Sequence, residues 1–483
     1  MNIRFIALAA FCGLSTVSYA QTLQLPDALK RSIQNYEKIK AKEALVQASQ
    51  ENTNYQKSQY LPDFTLLAQQ SYGTINAQNG PMYGYGGLGS AATSMPLADQ
   101  NWNAAFGSLY LANINWNLFT FGRIKSQVQL ARVEERQSVT DLEQEKFQHQ
   151  VKVGAAYFNL FASQRIKYVQ EKNLERAQVF MSTTLSRAAS GLIPGVDASL
   201  AKAEVSNAQS ARIKAYDMEL EYSKTLAVLL GEEYQRFTLD SVFTSKTPVL
   251  TQNEVTGQNT SQGKASGTPS SDPIAVPLNL INHPLLQWQK SKIAGSTQSE
   301  KIQRSQKLPS LSAFGLVQGR GSGFESNYVQ DNSAFSKSYH KGIGIQRGNY
   351  LAGLTLSWNL TNLYSFGAKV KQQKHQTQAL QNEYHLMHEE LSAQAQLANA
   401  KLKNAAENFE ETKIQVKAAA DAYRQNTTLY RSGLTTIVDL TQSLYALNRA
   451  EIDFEIARNN IWQALLLKSA AAGQLSVLLN AIP

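Results

Sequence analysis

The chain has 483 residues, with 46 Lys+Arg against 37 Asp+Glu, and a single cysteine, Cys12. Its net charge of +9 falls only to +8 without Arg4, and the charges lie in mixed-sign runs such as 133–136 rather than in basic stripes with interleaved aromatics. Such runs belong to solvated helix faces and offer no nucleic-acid surface, and one cysteine excludes an internal disulfide or a thiolate metal site.

Residues 1–20 read as a secretory signal peptide. Arg4 supplies the positive end, residues 5–14 the apolar core, and Ser18-Tyr19-Ala20 a small-x-small cleavage site before Gln21. Cys12 lies inside this leader, and Phe11 stands where a lipidation site needs a small residue. The mature chain is therefore expected to carry no cysteine and no acyl anchor. No apolar run approaching 18 residues follows, so any membrane crossing falls to strands.

Residues 26–59 have helical periodicity, and Pro62 stops it. Phe64, Leu66, Ala68 and Tyr72 then alternate with Asp63, Thr65, Gln69 and Ser71. Residues 73–107, rich in Gly, Ala, Asn and Ser, read as a loop. In the next alternating run Tyr110, Ala112, Ile114, Trp116 and Leu118 share one face, opposite Asn113, Asn115 and Asn117. The segment 62–119 is thus a hairpin whose strands of about eleven residues suit a tilted membrane crossing. Residues 123–188 contain no proline and one glycine, Gly154, and a helix of that length runs about 100 Å.

A short turn, 190–197 (SGLIPGVD), separates this helix from a shorter one at 198–230. The turn recurs without a gap at 432–439 (SGLTTIVD), 242 residues later. In each copy a glycine, Gly191 or Gly433, suits a helix end in the left-handed region, and an aspartate, Asp197 or Asp439, is placed to cap the next helix. The same offset relates Trp116-Asn117-Leu118 to Trp358-Asn359-Leu360, while Tyr60-Leu61-Pro62 resembles Lys307-Leu308-Pro309 and Phe121-Gly122 resembles Phe366-Gly367. The chain is therefore a tandem duplication. Repeat 1 spans 21–240 and repeat 2 spans 281–483, joined by a Ser-, Thr-, Gln- and Gly-rich linker at 241–280.

Repeat 2 has the same plan: a helix at 284–306, a hairpin at 309–360, a long helix at 368–431, and a helix from 440 to about 479. Leu311, Ala313 and Val317 share one strand face. In the last strand Tyr350, Ala352, Leu354, Leu356, Trp358 and Leu360 point outward, with Gly353, Thr355, Ser357 and Asn359 inward. Ile114, Trp116, Leu354, Leu356 and Trp358 are thus the expected lipid-facing residues. On the first long helix Val151, Ala155, Phe158 and Ala162 form one stripe and Tyr157, Leu160 and Tyr168 another, as a helix with neighbours on both sides requires.

Four strands cannot close a membrane barrel, and open sheet edges are not tolerated in lipid. Two copies give eight strands, a barrel usually filled by side chains, whereas three give twelve and leave room for a pore. The fold class expected is an α+β membrane protein: a trimeric twelve-stranded β-barrel continuous with a long α-helical barrel, built from two tandem repeats.

With these features the chain resembles the TolC-like outer-membrane efflux protein family along essentially its whole mature length. The second turn, residues 430–440 (YRSGLTTIVDL), is the most specific piece of the likeness. The resemblance implies a homotrimer with its barrel in outer-membrane lipid and a helical tunnel in the periplasm, docked through a periplasmic adaptor onto an inner-membrane pump. It places Asp439 in an acidic ring at the periplasmic entrance, with Gln442 where some members carry a second aspartate. Tyr430 falls on a tyrosine that helps to hold that entrance closed in some members, and Thr435 stands where an arginine partner is found. Gly191, Leu192, Gly433 and Leu434 form the adaptor-docking tips.

The implied function is a passive duct for multidrug efflux or type I secretion. A non-conducting secreted coiled-coil scaffold or adhesin is the alternative, and it has no need of apolar-out, polar-in strands. Position alone leaves Asp197 and Asp439 open between capping and gating. The glycines at 84–89 fit GxGxxG but precede no helix, so they read as loop rather than nucleotide site. His385, His388 and Glu389 lack an HExxH frame and read as a solvated helix face. No nucleophile-base-orienter arrangement is present, and no cofactor is expected.

Overall fold

The computed structural model describes residues 22–77, 95–245 and 280–482. The signal peptide with Cys12, the GxGxxG loop and the linker from 246 to 279 lie outside the described residues. In chain order the elements are α1 (Leu25–Asn35), α2 (Glu37–Ser58), β1 (Asp63–Gly73), β2 (Ala105–Phe119), α3 (Arg123–Ala189), α4 (Gly195–Leu230) and α5 (Val242–Ser245). A 3-10 turn at Leu280–Asn282 follows, then α6 (Pro284–Ser305), β3 (Ser310–Ser322), α7 (Tyr339–Ile343), β4 (Arg347–Ser357), α8 (Asn362–Arg431), α9 (Ile437–Ala472) and α10 (Ser476–Asn480). No described helix is long and apolar enough to cross a membrane.

The chain divides into two units, and the division cuts across the duplication. One unit is Met1–Gln47, Gln137–Ser291 and Leu380–Pro483; the other is Ala48–Arg136 and Lys292–Ala379. Each draws on both repeats, so neither repeat is a unit by itself.

In the first unit the largest core gathers around the middle of α3. Val153, Tyr157, Phe158, Leu160 and Phe161 pack with Leu25, Leu226, Leu230, Phe243, Trp462 and Leu465. Both expected stripes meet neighbours here, which is why the buried residues run almost round the helix. Tyr168 is the exception: it is exposed, with the Arg165 guanidinium 4.9 Å from its ring. Polar contacts fix the register between repeats. Arg165 and Arg458 flank the buried Glu455 at 3.0 and 3.1 Å, and Arg176 bonds Glu451 at 2.6 Å.

The duplication is visible in backbone detail. α4 and α9 both end at a glycine in the left-handed region, Gly231 (φ 68°) and Gly473 (φ 72°), 242 residues apart. A side chain there would collide with Asn35 in one repeat and His283 in the other. The helix expected over 26–59 is broken at Tyr36, whose extended backbone (ψ 118°) lets its ring stack 3.9 Å from His149.

In the second unit β1-β2-β3-β4 form one antiparallel sheet with β1 and β4 at its edges. The two repeats diverge at its ends. Phe121 and Gly122 take positive φ before α3, whereas Phe366 and Gly367 lie inside α8. β2 runs on through Trp116-Asn117-Leu118, where Asn117 Oδ1 accepts from Ser312 Oγ at 3.0 Å. β4 stops at Ser357, so Trp358 and Leu360, expected in its outward row, lie past its end. Its partner β3 begins at Ser310, directly after Pro309, and Ser310 pairs with Ser357, so the ladder ends there; Asn359 Oδ1 accepts from the Thr361 amide at 3.0 Å in the turn that follows.

The region between β3 and β4, read as plain loop, carries structure of its own. Phe324, Tyr328 and Phe335 form a ring cluster, with Tyr328 buried. Helix α7 packs on the strand ends through Tyr339, edge-on to Phe106 at 5.1 Å, and Gly342, which touches Phe106 so closely that no larger residue fits.

Candidate functional site: two turns and a two-faced sheet

Each tip turn is a helix end of the same kind. After α3 the Gly191 amide bonds the Ala188 carbonyl at 3.0 Å and the Leu192 amide bonds Arg187 at 3.0 Å; after α8 the Gly433 amide bonds Tyr430 at 3.0 Å and Leu434 bonds Leu429 at 2.9 Å. This pattern needs a left-handed residue, and Gly191 (φ 70°) and Gly433 (φ 77°) supply it. The leucine that follows each glycine is thrown outward: Leu192 is 70% exposed and Leu434 75%. The carbonyls of Arg187, Ala188, Leu429 and Tyr430 are thus satisfied within the chain.

The starts of the next helices differ between repeats. In repeat 2 the cap is Thr436, not Asp439, which corrects the sequence-based assignment. The Thr436 hydroxyl accepts from the Asp439 amide at 3.2 Å, and Asp439 Oδ2 accepts from the Thr436 amide at 3.2 Å, from its hydroxyl at 2.6 Å and from Thr435 Oγ1 at 3.0 Å. This is a reciprocal capping box. The hydroxyls of Thr436 and Thr435, then the Thr436 amide, hold the Asp439 carboxyl below the usual carboxylate range. Repeat 1 has Pro194 at the cap position, with no hydroxyl to offer. Asp197 keeps only a backbone bond, from its amide to the Pro194 carbonyl at 3.1 Å.

Tyr430 is 4% exposed and packs inside its own chain, in a cluster with Phe180, Ala201, Ile437 and Leu440. Phe180 meets it edge-on at 5.9 Å, its hydroxyl lies 3.4 Å from Thr184 Oγ1, and the Arg187 guanidinium sits 5.1 Å from its ring while donating to its carbonyl. The end of α3 is thereby fastened to the end of α8. Gln442 is exposed on α9, near Asp439 in sequence but outside its hydrogen bonds. Arg187, on Tyr430, and Thr436, on Asp439, are partners of candidate residues that sequence reading missed. Thr436 was legible as the first residue of a T-x-x-D box; Arg187 had no local signal.

The sheet separates its residues by chemistry. Pairing sets Phe64 opposite Ile114, Leu66 opposite Ala112 and Ala68 opposite Tyr110. It continues with Trp116 opposite Ala313 and Ala112 opposite Val317, then Leu311 opposite Leu356, Ala313 opposite Leu354 and Val317 opposite Tyr350. Directly paired residues share a face, so one face is apolar across all four strands. Ile114, Trp116, Leu354 and Leu356 lie in it and are exposed; Trp358, also exposed, follows it past the end of β4. The other face carries Asp63, Thr65, Asn113, Asn115, Asn117, Ser312 and Thr355, with leucines between them. His385, His388 and Glu389 are exposed on α8.

The sequence model of a family described as outer membrane efflux protein matches residues 28–232 and 276–473, both repeats in turn. Solved structures with the same fold include VceC of Vibrio cholerae (14% identity, TM-score 0.69, 93% of this chain and 96% of that one). CmeC of Campylobacter jejuni, an outer membrane channel, is 13% identical at TM-score 0.70, over 98% and 93%. The open state of the MtrE channel of Neisseria gonorrhoeae is 14% identical at TM-score 0.65, over 93% and 89%. No curated protein matches the chain. With its family matched over both halves and its fold shared with such channels, the chain belongs to the outer membrane efflux protein family and is an outer-membrane efflux channel.

Proposed function

We propose that three copies close a twelve-stranded barrel and form a passive duct, fed from the periplasm by an adaptor and an inner-membrane pump. The observation that carries this reading is the sheet itself. Its apolar face spans all four strands, while β1 and β4 leave unpaired edges among the described residues. An open edge is not tolerated in lipid, so the edges call for other copies, and twelve strands leave a lumen that eight do not. On this reading Ile114, Trp116, Leu354, Leu356 and Trp358 meet lipid and the polar face lines the lumen.

The turns then serve as the periplasmic end. Leu192 and Leu434, held outward by Gly191 and Gly433, supply apolar contacts for the adaptor. Asp439, repeated by symmetry, gives the entrance an acidic ring, with Thr435 in the same turn, Gln442 three residues on along α9 and Asp197 in the turn of the other repeat. Tyr430 acts on the entrance from inside its own chain, by fastening α8 to α3. Purified protein in a planar lipid bilayer tests the reading: stable ionic currents without any energy source are expected, and a sealed bilayer despite insertion contradicts it.

A further inference from the structure

In the first unit, charges from α3 and α4 converge on one cavity. Lys167 and Glu171 stand four residues apart on α3, and Arg212 and Tyr216 four apart on α4, so each helix turns its pair to one side. With Ile213 they line a cavity of about 230 Å³. A larger one of about 580 Å³ adjoins it, sharing Lys167 and Glu171 and reaching Tyr168, Glu219 and Arg236. Two of the cations are committed. The buried Glu219 takes Lys167 at 3.0 Å and Arg236 at 3.6 Å, and both cations lie over the Tyr216 ring, at 5.5 and 5.2 Å. Arg212 and Glu171 are not. Neither makes an ion pair or a hydrogen bond among the described residues, with the other or elsewhere, and the Arg212 Nε is buried without an acceptor. A buried N–H left unpaired costs stability, and two opposite charges that line one cavity without meeting leave room for a ligand between them.

We propose that this cavity binds a zwitterion: an α-amino acid with an apolar side chain, its carboxylate on Arg212 and its ammonium on Glu171. A guanidinium offers a carboxylate paired N–H donors, and a carboxylate placed there supplies the acceptor that Nε lacks. An ionised Glu171 only accepts, which suits the three donors of an ammonium. Ile213 and the Tyr216 ring give the ligand's side chain an apolar wall. A simple anion would face the Glu171 carboxylate across the same cavity, and a simple cation would face the Arg212 guanidinium. A molecule carrying both charges satisfies both. At about 230 Å³ the cavity is smaller than pockets for drug-sized ligands, as a single amino acid requires. All five lining residues come from α3 and α4, so the inference stands apart from the number of chains in the barrel. Binding would fasten the two helices to each other.

Calorimetric titration of the full chain in detergent tests this with leucine, N-acetylleucine and leucinamide, which differ only at the two charged ends. Leucine should bind saturably, and each blocked analogue at least about tenfold more weakly, the effect of losing one charged hydrogen bond. Arg212→Gln should erase the preference for leucine over leucinamide and keep that over N-acetylleucine. Glu171→Gln should do the reverse. Leucine should also raise the melting temperature of the wild-type protein more than that of either variant. Leucine that does not bind, or three ligands that bind alike, overturns the site, and this series on wild-type protein decides even if a variant folds poorly. Variants that lose both preferences together overturn the assignment of the two ends.

Discussion

The Trp116 indole N–H donates to the main-chain carbonyl of Tyr60 at 2.9 Å. Its counterpart in the second repeat, Trp358, makes the same bond to Lys307 at 3.0 Å. In each repeat the accepting residue precedes a Leu-Pro step, where the chain leaves a helix and enters a strand. The bond therefore ties the far end of each hairpin to its entrance, and it survives although Trp358 has left its strand and Trp116 has not. Replacing either tryptophan with phenylalanine removes the donor and keeps most of the ring. Each change should cost about 1 kcal/mol, and the pair about twice that, read as a lower melting temperature of the detergent-solubilised assembly.

The two faces of β4 should respond differently to charge. Leu354→Arg places a guanidinium in the apolar face near mid-strand and should cost about 2–4 kcal/mol, lowering assembled yield in the outer membrane. Thr355→Arg, one residue on, points the same charge to the polar face and should leave yield near wild type while changing conductance. Equal losses would refute the assignment of faces.

Gly433→Pro should abolish export without loss of assembly. Proline fixes φ near −65°, against the 77° observed, and removes the amide that bonds Tyr430. The change re-aims Leu434 and leaves the sheet untouched. Survival on a toxic exported compound reads function, and cross-linked oligomer reads assembly; wild-type survival would remove the turn from the docking mechanism.

Asp439 closes the Thr436 capping box, and the gating role proposed for it is separable from that. An asparagine Oδ1 at 439 can still accept from the Thr436 amide and hydroxyl and keeps the capping box, so Asp439→Asn should assemble normally. Block of the pore by divalent or trivalent cations should weaken. The carboxyl titrates below its ordinary value of 3.8, so its charge is complete above that pH and is lost as pH falls through the depressed value. The part of the block due to Asp439 should hold steady from pH 7 to 5. Block that is identical in the asparagine variant assigns Asp439 to the helix alone.

Glu455 lies buried between Arg165 and Arg458. Glu455→Ala leaves two guanidiniums facing each other without their carboxylate, and desolvation already lowers the pKa of Arg458. A loss of about 3 kcal/mol in unfolding stability is expected, because a broken buried pair strands its partners.

Much of this fold was legible because its signals are periodic. The alternation from Phe64 to Tyr72 and from Tyr110 to Leu118 marked the apolar face, and the doubled turn marked the left-handed glycines. Single-residue geometry was harder to read. Asn117 and Asn359 stand in the same Trp-Asn-Leu triplet, yet one bonds a neighbouring strand and the other turns the chain at an edge. Tyr36 breaks a continuous helical pattern for a stack on His149, a partner more than a hundred positions away. Arg187 and Tyr430 meet only once two repeats are packed, so no local motif announces them. The pairing of Arg320 on β3 with Arg347 on β4 depends on strand register, which alternation alone leaves free.

The most direct test of the central claim is the number of chains in the assembly. Native mass spectrometry of the protein extracted from outer membranes in mild detergent should give a mass of three mature chains, each supplying four strands. A folded, membrane-inserted particle of one or two chains would contradict the twelve-stranded barrel and the duct built on it.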